Sequence, residues 1–249
     1  MTVSVCMAVY NGEKYLKEQI ESILLQLGDK DELVIVDDCS TDNSVNIINT
    51  FADKRIKLHF NEKNRRHVIT FAKAIELAQN ELILLCDQDD VWIKERVNTF
   101  IDCFREVTDI KVVTSKFLCI SEYNKLIDNP LPSVYAKDSF KYTKNIIKIF
   151  LGKIGYYGCG MAFRSELKSI ILPIPKYIEA HDIWIALIAN KLQINLHIDD
   201  NTLFHRIHDS NASIKAKFRS IPKKIKTCIN YIRAITEIVN RIHKLVILH

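Results

Sequence analysis

The sequence predicts an α/β fold with a mostly parallel central sheet and helices on both faces. Three observations predict it. Short apolar runs of strand length alternate with segments of helical periodicity from Val3 onward. Those runs are almost wholly apolar, as strands buried on both faces are. Two of them stop abruptly in acidic residues, Asp37-Asp38 and Asp87 to Asp90, and ligands bind beyond the carboxyl ends of parallel strands.

Val3 to Val9 is the first expected strand. Tyr10-Asn11-Gly12 turns the chain into a helix that places Leu16, Ile20, Ile23, Leu24 and Leu27 on one face. Leu33 to Val36 is the second strand, and Ser40 or Thr41 is the expected cap of a helix carrying Val45, Ile48 and Phe51. Ile56 to Phe60 is the third strand, followed by a helix using Ile69, Ala72, Ile75 and Ala78. The fourth strand begins at Leu82. A helix with Val97, Ile101 and Phe104 and a strand from Lys111 to Ile120 come next. Pro130 and Pro132 mark a loop, and Lys144 to Leu151 fits a short helix. Gly155, Gly158 and Gly160 suggest backbone passing close to a ligand or another strand. An apolar helix spans Ile183 to Lys191, and Gln193 to Ile198 is the last expected strand.

The chain of 249 residues, 48% hydrophobic, is long enough for one sizeable core with an appendage. Its net charge of +5 is concentrated in the tail, since Lys215 to His249 holds nine basic residues and one acidic residue, Glu237. Residues 1–215 are therefore expected to form the main domain and 216–249 a basic amphipathic helix. That helix fits an anionic membrane surface, and equally fits packing on the domain or on a second copy in a homodimer. No nucleic-acid motif accompanies the charge, so nucleic acid is not an expected partner. The seven cysteines form no C-x-x-C pair and fit reduced thiols. With no signal peptide expected and no apolar run of bilayer-spanning length, the expected location is cytoplasmic, with any membrane contact peripheral.

Asp87, Asp89 and Asp90 lie within four residues, and such like charges raise one another's pKa unless a cation or donors hold them ionised. Carboxylate ligands select a hard cation, Mn2+ or Mg2+, whose open positions suit phosphate oxygens. Neither a P-loop nor a G-x-G-x-x-G motif is present.

Six motifs then occur in one order. They are Ala8-Val9-Tyr10-Asn11-Gly12, Val36-Asp37-Asp38-Cys39-Ser40-Thr41-Asp42, Cys86-Asp87-Gln88-Asp89-Asp90-Val91-Trp92, Gly158-Cys159-Gly160-Met161, His181-Asp182-Ile183-Trp184 and Arg206-x-His208-x-x-Asn211. Together they resemble family 2 glycosyltransferases over roughly residues 1 to 215, nearest the bacterial rhamnosyltransferase-like branch. The resemblance implies a GT-A, Rossmann-like fold and an inverting, metal-dependent transfer from a nucleotide-diphosphate sugar, dTDP-rhamnose or a UDP-hexose. The implied acceptor is a saccharide or lipid-linked saccharide in bacterial surface polysaccharide synthesis.

By the same resemblance Asp182 is the catalytic base, and Asp89 with His208 meets the metal. Ala8, Tyr10, Asp38, Asp87, Gln88, Trp92, Gly160, His181 and Arg206 belong to the nucleotide-sugar site, with Arg65 or Arg66 on the diphosphate. Residue chemistry alone also allows an Asx turn for Asp38, a helix cap for Asp182, and core positions for Tyr10, Trp92 and Trp184. Cys39 stands where many members carry Gly, Cys86 where Ser or Ala is usual, and Asn64 to His67 lacks a frequent Gly. Two competing functions are a sugar-nucleotide nucleotidyltransferase, which would normally have a Gly-rich basic loop after the first strand, and a catalytically inactive nucleotide-sugar binding or scaffolding protein.

Overall fold

The computed structural model describes residues 1–208 and 221–247. Strands β1 (Val3–Val9), β2 (Glu32–Asp37), β3 (Ile56–Phe60) and β4 (Leu82–Cys86) pair in parallel in the spatial order β3-β2-β1-β4. Helices α1 (Leu16–Leu24), α2 (Ser44–Asn49) and α3 (Arg66–Leu77) connect them. The chain then runs through β5 (Val91–Trp92), α4 (Arg96–Glu106), β6 (Val112–Ser121), β7 (Leu126–Ile127) and α5 (Tyr142–Phe150). It continues through β8 (Met161–Arg164), α6 (Lys168–Ile171), α7 (His181–Leu192), β9 (Asn195–Ile207) and α8 (Ile221–Ile247).

The two-residue period of β1 sorts its side chains into the two layers of the core. Val3, Val5, Met7 and Val9 pack with Leu16, Ile20 and Ile23 of α1 and Phe100 and Phe104 of α4. Cys6 points the other way, into a layer holding Phe71, Ala74 and Ile75 of α3 and Trp184, Ile185 and Ile188 of α7. Fully burying a Val, Leu, Ile, Phe or Met side chain contributes on the order of 1.5–3 kcal/mol, so these layers hold the sheet rigidly beneath the strand ends.

The second half of the sheet is mixed. β8 lies antiparallel between β4 and β6, a strand the glycine-rich stretch concealed. The close approach expected near Gly160 is to a neighbouring strand: a Cβ there would lie 3.0 Å from the Ser115 carbonyl oxygen. β9 is longer than Gln193 to Ile198 because its polar middle, Asp199 to Asn201, is exposed beside shifts in the register with β6 rather than forming a turn. Its extension carries His205 and Arg206 to the end of β4. At α2 neither Ser40 nor Thr41 caps: the Ser44 amide bonds Asp42 Oδ1 at 3.0 Å, and Ser40 Oγ accepts from the Asn11 amide.

One face of α8 packs on the body. Ala234 and Ile238 are fully buried, and Asn230 Nδ2 donates to the Tyr177 carbonyl at 3.1 Å. Arg241 donates to the carbonyls of Ile170 and Pro173 and lies 5.1 Å from the Trp184 ring centroid. The expected boundary at residues 215 and 216 lies outside the described residues, as does Asn211 of the last motif.

Candidate active site

A cleft of about 1340 Å³ opens beyond the carboxyl ends of β1, β2 and β4. The turn after β1 contributes Ala8 and Tyr10, and the end of β2 contributes Asp38. The loop after β4 brings Asp87, Gln88 and Asp89; the start of α7 brings His181 and Asp182; and His208 follows β9. Residues far apart in the chain meet here because parallel strands all deliver their C-terminal ends to one edge.

The acidic loop is fixed from beneath. Asp90 is fully buried, and its Oδ1 accepts from His205 Nδ1 at 2.9 Å and from the Arg206 amide at 3.1 Å. Burial alone would lower the His205 pKa, but the charge and hydrogen bond of Asp90 raise it to about 9. Arg206 Nε donates to the Asp89 carbonyl at 2.9 Å, while its Nη2 meets Glu18 Oε2 at 2.8 Å and its Nη1 meets Asn124 Oδ1. Above this base, His208 Nε2 and Asp89 Oδ2 are 2.7 Å apart. Burial, then Asp90 and Asp89, hold the Asp87 carboxyl well above the ordinary carboxylate range.

Such crowding of carboxylates is what a divalent cation relieves. The ligand atoms of Asp87, Asp90, Cys159 and His205 all lie within 4.8 Å of one another. Burial also keeps the Cys159 thiol well above its ordinary value and hence protonated. Thiolates suit softer metals, so the donors that fit Mg2+ or Mn2+ are the cleft-facing Asp87, Asp89 and His208.

Asp182 sits in the first turn of α7, across the cleft. Its Oδ1 accepts from the Ile183 amide at 2.7 Å. Burial raises its pKa to about 6, against the pull of the Ile183 and Gly158 amides. His181 stacks on Phe71 with ring centroids 4.0 Å apart, and burial lowers its pKa to about 3, so the ring stays neutral. Its Nε2 is buried without a protein partner. A Cβ at Gly158 would lie 2.6 Å from that nitrogen, which is why the position is glycine.

One end of the cleft is built around Asp38. Its Oδ1 accepts from the Arg65 amide and from Asn61 Nδ2, both at 2.7 Å, and its Oδ2 accepts from the Arg66 amide at 2.8 Å. The carboxylate thus anchors the start of α3, where the helix dipole also favours it. A carboxylate has about four acceptor positions, so room remains for one more donor. Gln88 pairs with the backbone of Tyr10, its Oε1 accepting from the amide at 2.9 Å and its Nε2 donating to the carbonyl at 3.2 Å. That clamp leaves the Tyr10 ring 48% exposed over the cleft.

Four of the expected site residues do not line the cleft. Arg65 faces a separate hollow with Phe60 and Lys73, whereas Arg66 lines the cleft itself. Trp92 is core, with the Arg96 guanidinium 4.7 Å from its ring centroid. Gly160 packs on β6, and Arg206 is 1% exposed and committed to the loop carbonyl and Glu18. Sequence reasoning counted Asp90 in the acidic cluster without a separate part and assigned none to His205 or Cys159; the three meet only through the pairing of β9 and β8 with β6. The signal available was the third acid of Asp87 to Asp90.

The comparisons with known proteins concern the family and the fold. The profile described as glycosyl transferase family 2 matches residues 4–169. An uncharacterized glycosyltransferase of Methanocaldococcus jannaschii is 30% identical over 82% of this chain and 70% of that protein. A dTDP-rhamnosyl transferase, RfbG of Shigella flexneri, is 34% identical over 39% of this chain and 36% of that protein. The Staphylococcus aureus TarS structure in complex with UDP-GlcNAc superimposes with a TM-score of 0.68 at 19% identity, covering 97% of this chain and 72% of that one. A chain with this profile match and a GT-A fold belongs to glycosyl transferase family 2.

Proposed function

We propose that this glycosyltransferase moves a sugar from a nucleotide-diphosphate donor, dTDP-rhamnose or a UDP-hexose, to a saccharide acceptor in bacterial surface polysaccharide synthesis, with inversion at the anomeric carbon. The observation that carries the reading is the placement of a raised-pKa carboxylate, Asp182, across one cleft from Asp38, Tyr10 and the acidic loop. Two similar proteins, a dTDP-rhamnosyl transferase and a structure in complex with UDP-GlcNAc, support the donor class.

In this reading the base lies on Tyr10 and donates to the remaining acceptor position of Asp38. Arg66, not Arg65, meets the diphosphate, because Arg66 is the one at the cleft wall. Asp89, with Asp87 and His208, would hold Mn2+ or Mg2+, which when bound neutralises charge on the departing diphosphate. Asp182 accepts the proton of the acceptor hydroxyl as that oxygen attacks the anomeric carbon. A pKa near 6 leaves the carboxylate ionised at neutral pH yet more basic than an ordinary aspartate. Attack from the face opposite the leaving group inverts the anomeric centre in a single displacement.

The test is Asp182→Asn, measured for turnover and for donor binding by calorimetry with Mn2+. We expect turnover to fall by at least about a hundredfold while the donor affinity stays within about threefold. In Asp89→Ala the metal-dependent part of donor binding should vanish. Wild-type turnover in Asp182→Asn would remove this residue from the mechanism and the proposal with it.

A further inference from the structure

The face of α8 that packs on the body is not its only apolar face. Ile225, Ile229 and Ile232 follow one another at helical spacing and are 57%, 52% and 59% exposed. Ala234, Ile238 and Arg241 already dock the helix on α6 and α7, so this second stripe is left over from intramolecular packing. On α5 and just beyond it, Ile147 and Leu151 are 54% and 60% exposed. The two helices meet where the Phe150 and Tyr231 rings lie 5.5 Å apart and Cys228 Sγ reaches the Phe150 carbonyl. Single exposed apolar residues are ordinary, but stripes on two touching helices mark a contact surface.

The charge beside these stripes identifies what they contact. Lys223, Lys224, Lys226 and Arg233 are exposed on α8, and Lys144 and Lys153 on α5 and the turn after it. Residues 142–153 contain no acidic residue, and the sole acid of α8, Glu237, is paired with Arg241 at 2.9 Å. A two-fold contact with a second copy would set these cations against themselves. Isoleucines inserted among acyl chains with lysines at the headgroups satisfy both parts of the surface. No helix among the described residues is long and apolar enough to cross a membrane, so the contact is interfacial.

The surface also adjoins the cleft, because Leu151 and Lys224 line its wall. We propose that the α5 and α8 surface docks on an anionic lipid bilayer and holds the mouth of the cleft against it. Its catalytic meaning, delivery of a membrane-anchored acceptor, rests on the transferase reading; the docking itself does not.

The experiment is co-sedimentation of the full chain with vesicles of phosphatidylcholine, with and without about one-third phosphatidylglycerol, while uridine and thymidine diphosphate binding is measured on the same preparations. The wild type should pellet with the anionic vesicles and be released as salt rises from about 0.05 to 0.5 M. I225S/I229S/I232S, shown folded by circular dichroism, should partition roughly tenfold more weakly and keep its nucleotide affinity. K223E/K226E should lose the preference for anionic lipid. Undiminished pelleting of the isoleucine variant overturns the proposal, as does a wild type that binds nucleotide but pellets with neither vesicle. A wild-type dimer in sedimentation equilibrium that this variant abolishes also overturns it, by giving the face to a second copy. Vesicle binding without nucleotide binding supports the docking surface and overturns the transferase reading.

Discussion

Asp182 meets two opposite demands, and pH separates them. Its folded pKa of about 6 lies above the ordinary 3.8, so the fold prefers the protonated form. Its contribution to stability is full below about pH 4 and is lost as pH rises through about 6. The proposed mechanism uses the ionised form as base, so turnover should rise over the same window. We expect an acid limb near pH 6 in turnover at saturating donor, and a thermal scan at pH 8 should show Asp182→Asn melting above the wild type. A shift of about two units corresponds to an upper limit near 3 kcal/mol, and the gap should close toward pH 4. An acid limb near pH 4 would show that burial at the start of α7 does not raise this carboxyl.

At the scale of elements, β9 and α8 hold the site from behind. The Asp90 and His205 pair ties the end of β4 to β9 with both side chains buried. Removing one partner of a buried pair strands the other, so Asp90→Ala should cost about 3 kcal/mol in denaturant unfolding and disorder the Asp89 and His208 contact. Because the His205 pKa is raised from 6.5 to about 9, the pair's contribution is full below about pH 6.5 and lost as pH rises through 9. The end of α6 depends on α8 in the same way. Arg241 satisfies the carbonyls of Ile170, Ile171 and Pro173, and Arg241→Ala should lower stability by about 1–3 kcal/mol. Hydrogen exchange should then show α8 opening before the sheet; unchanged protection of α8 would show that Ala234 and Ile238 hold it unaided.

For the whole molecule, the cleft draws on β1, β2, β4, β9 and the N-terminal ends of α3 and α7, so ligand and fold are thermodynamically linked. A pyrimidine diphosphate with Mn2+ at a hundred times its dissociation constant should stabilise the chain by about 2.7 kcal/mol, read as a rise of a few degrees in Tm. A chelator should abolish the rise. A nucleotide effect that survives chelation would place the affinity in Asp38, Tyr10 and Arg66 and take the metal out of donor binding.

The apolar runs and their acidic ends by themselves determined the alternation, the parallel first half of the sheet and the edge on which Tyr10, Asp38, Asp87 and Asp89 gather, because burial on both faces and strand polarity are local properties of sequence, whereas Asp182, at a helix start, was reached only through the family resemblance. Cys39 and Arg66 show the limit of reading by residue type. Cys39 stands where many members of the resembling family carry glycine, and Arg66 lies in the Asn64 to His67 loop that lacks a frequent one; both adopt left-handed backbone, at φ 64° and 65°, which residue type alone does not announce. Only the tertiary structure separated Arg66 from Arg65, placed Trp92 and Arg206 behind the cleft, and joined Asp90, Cys159 and His205. It also decided that α8 packs through Ala234 and Ile238 while leaving an isoleucine stripe outside. These outcomes depend on which strands become neighbours and which helix face finds a partner, and periodicity along a chain carries no information about either.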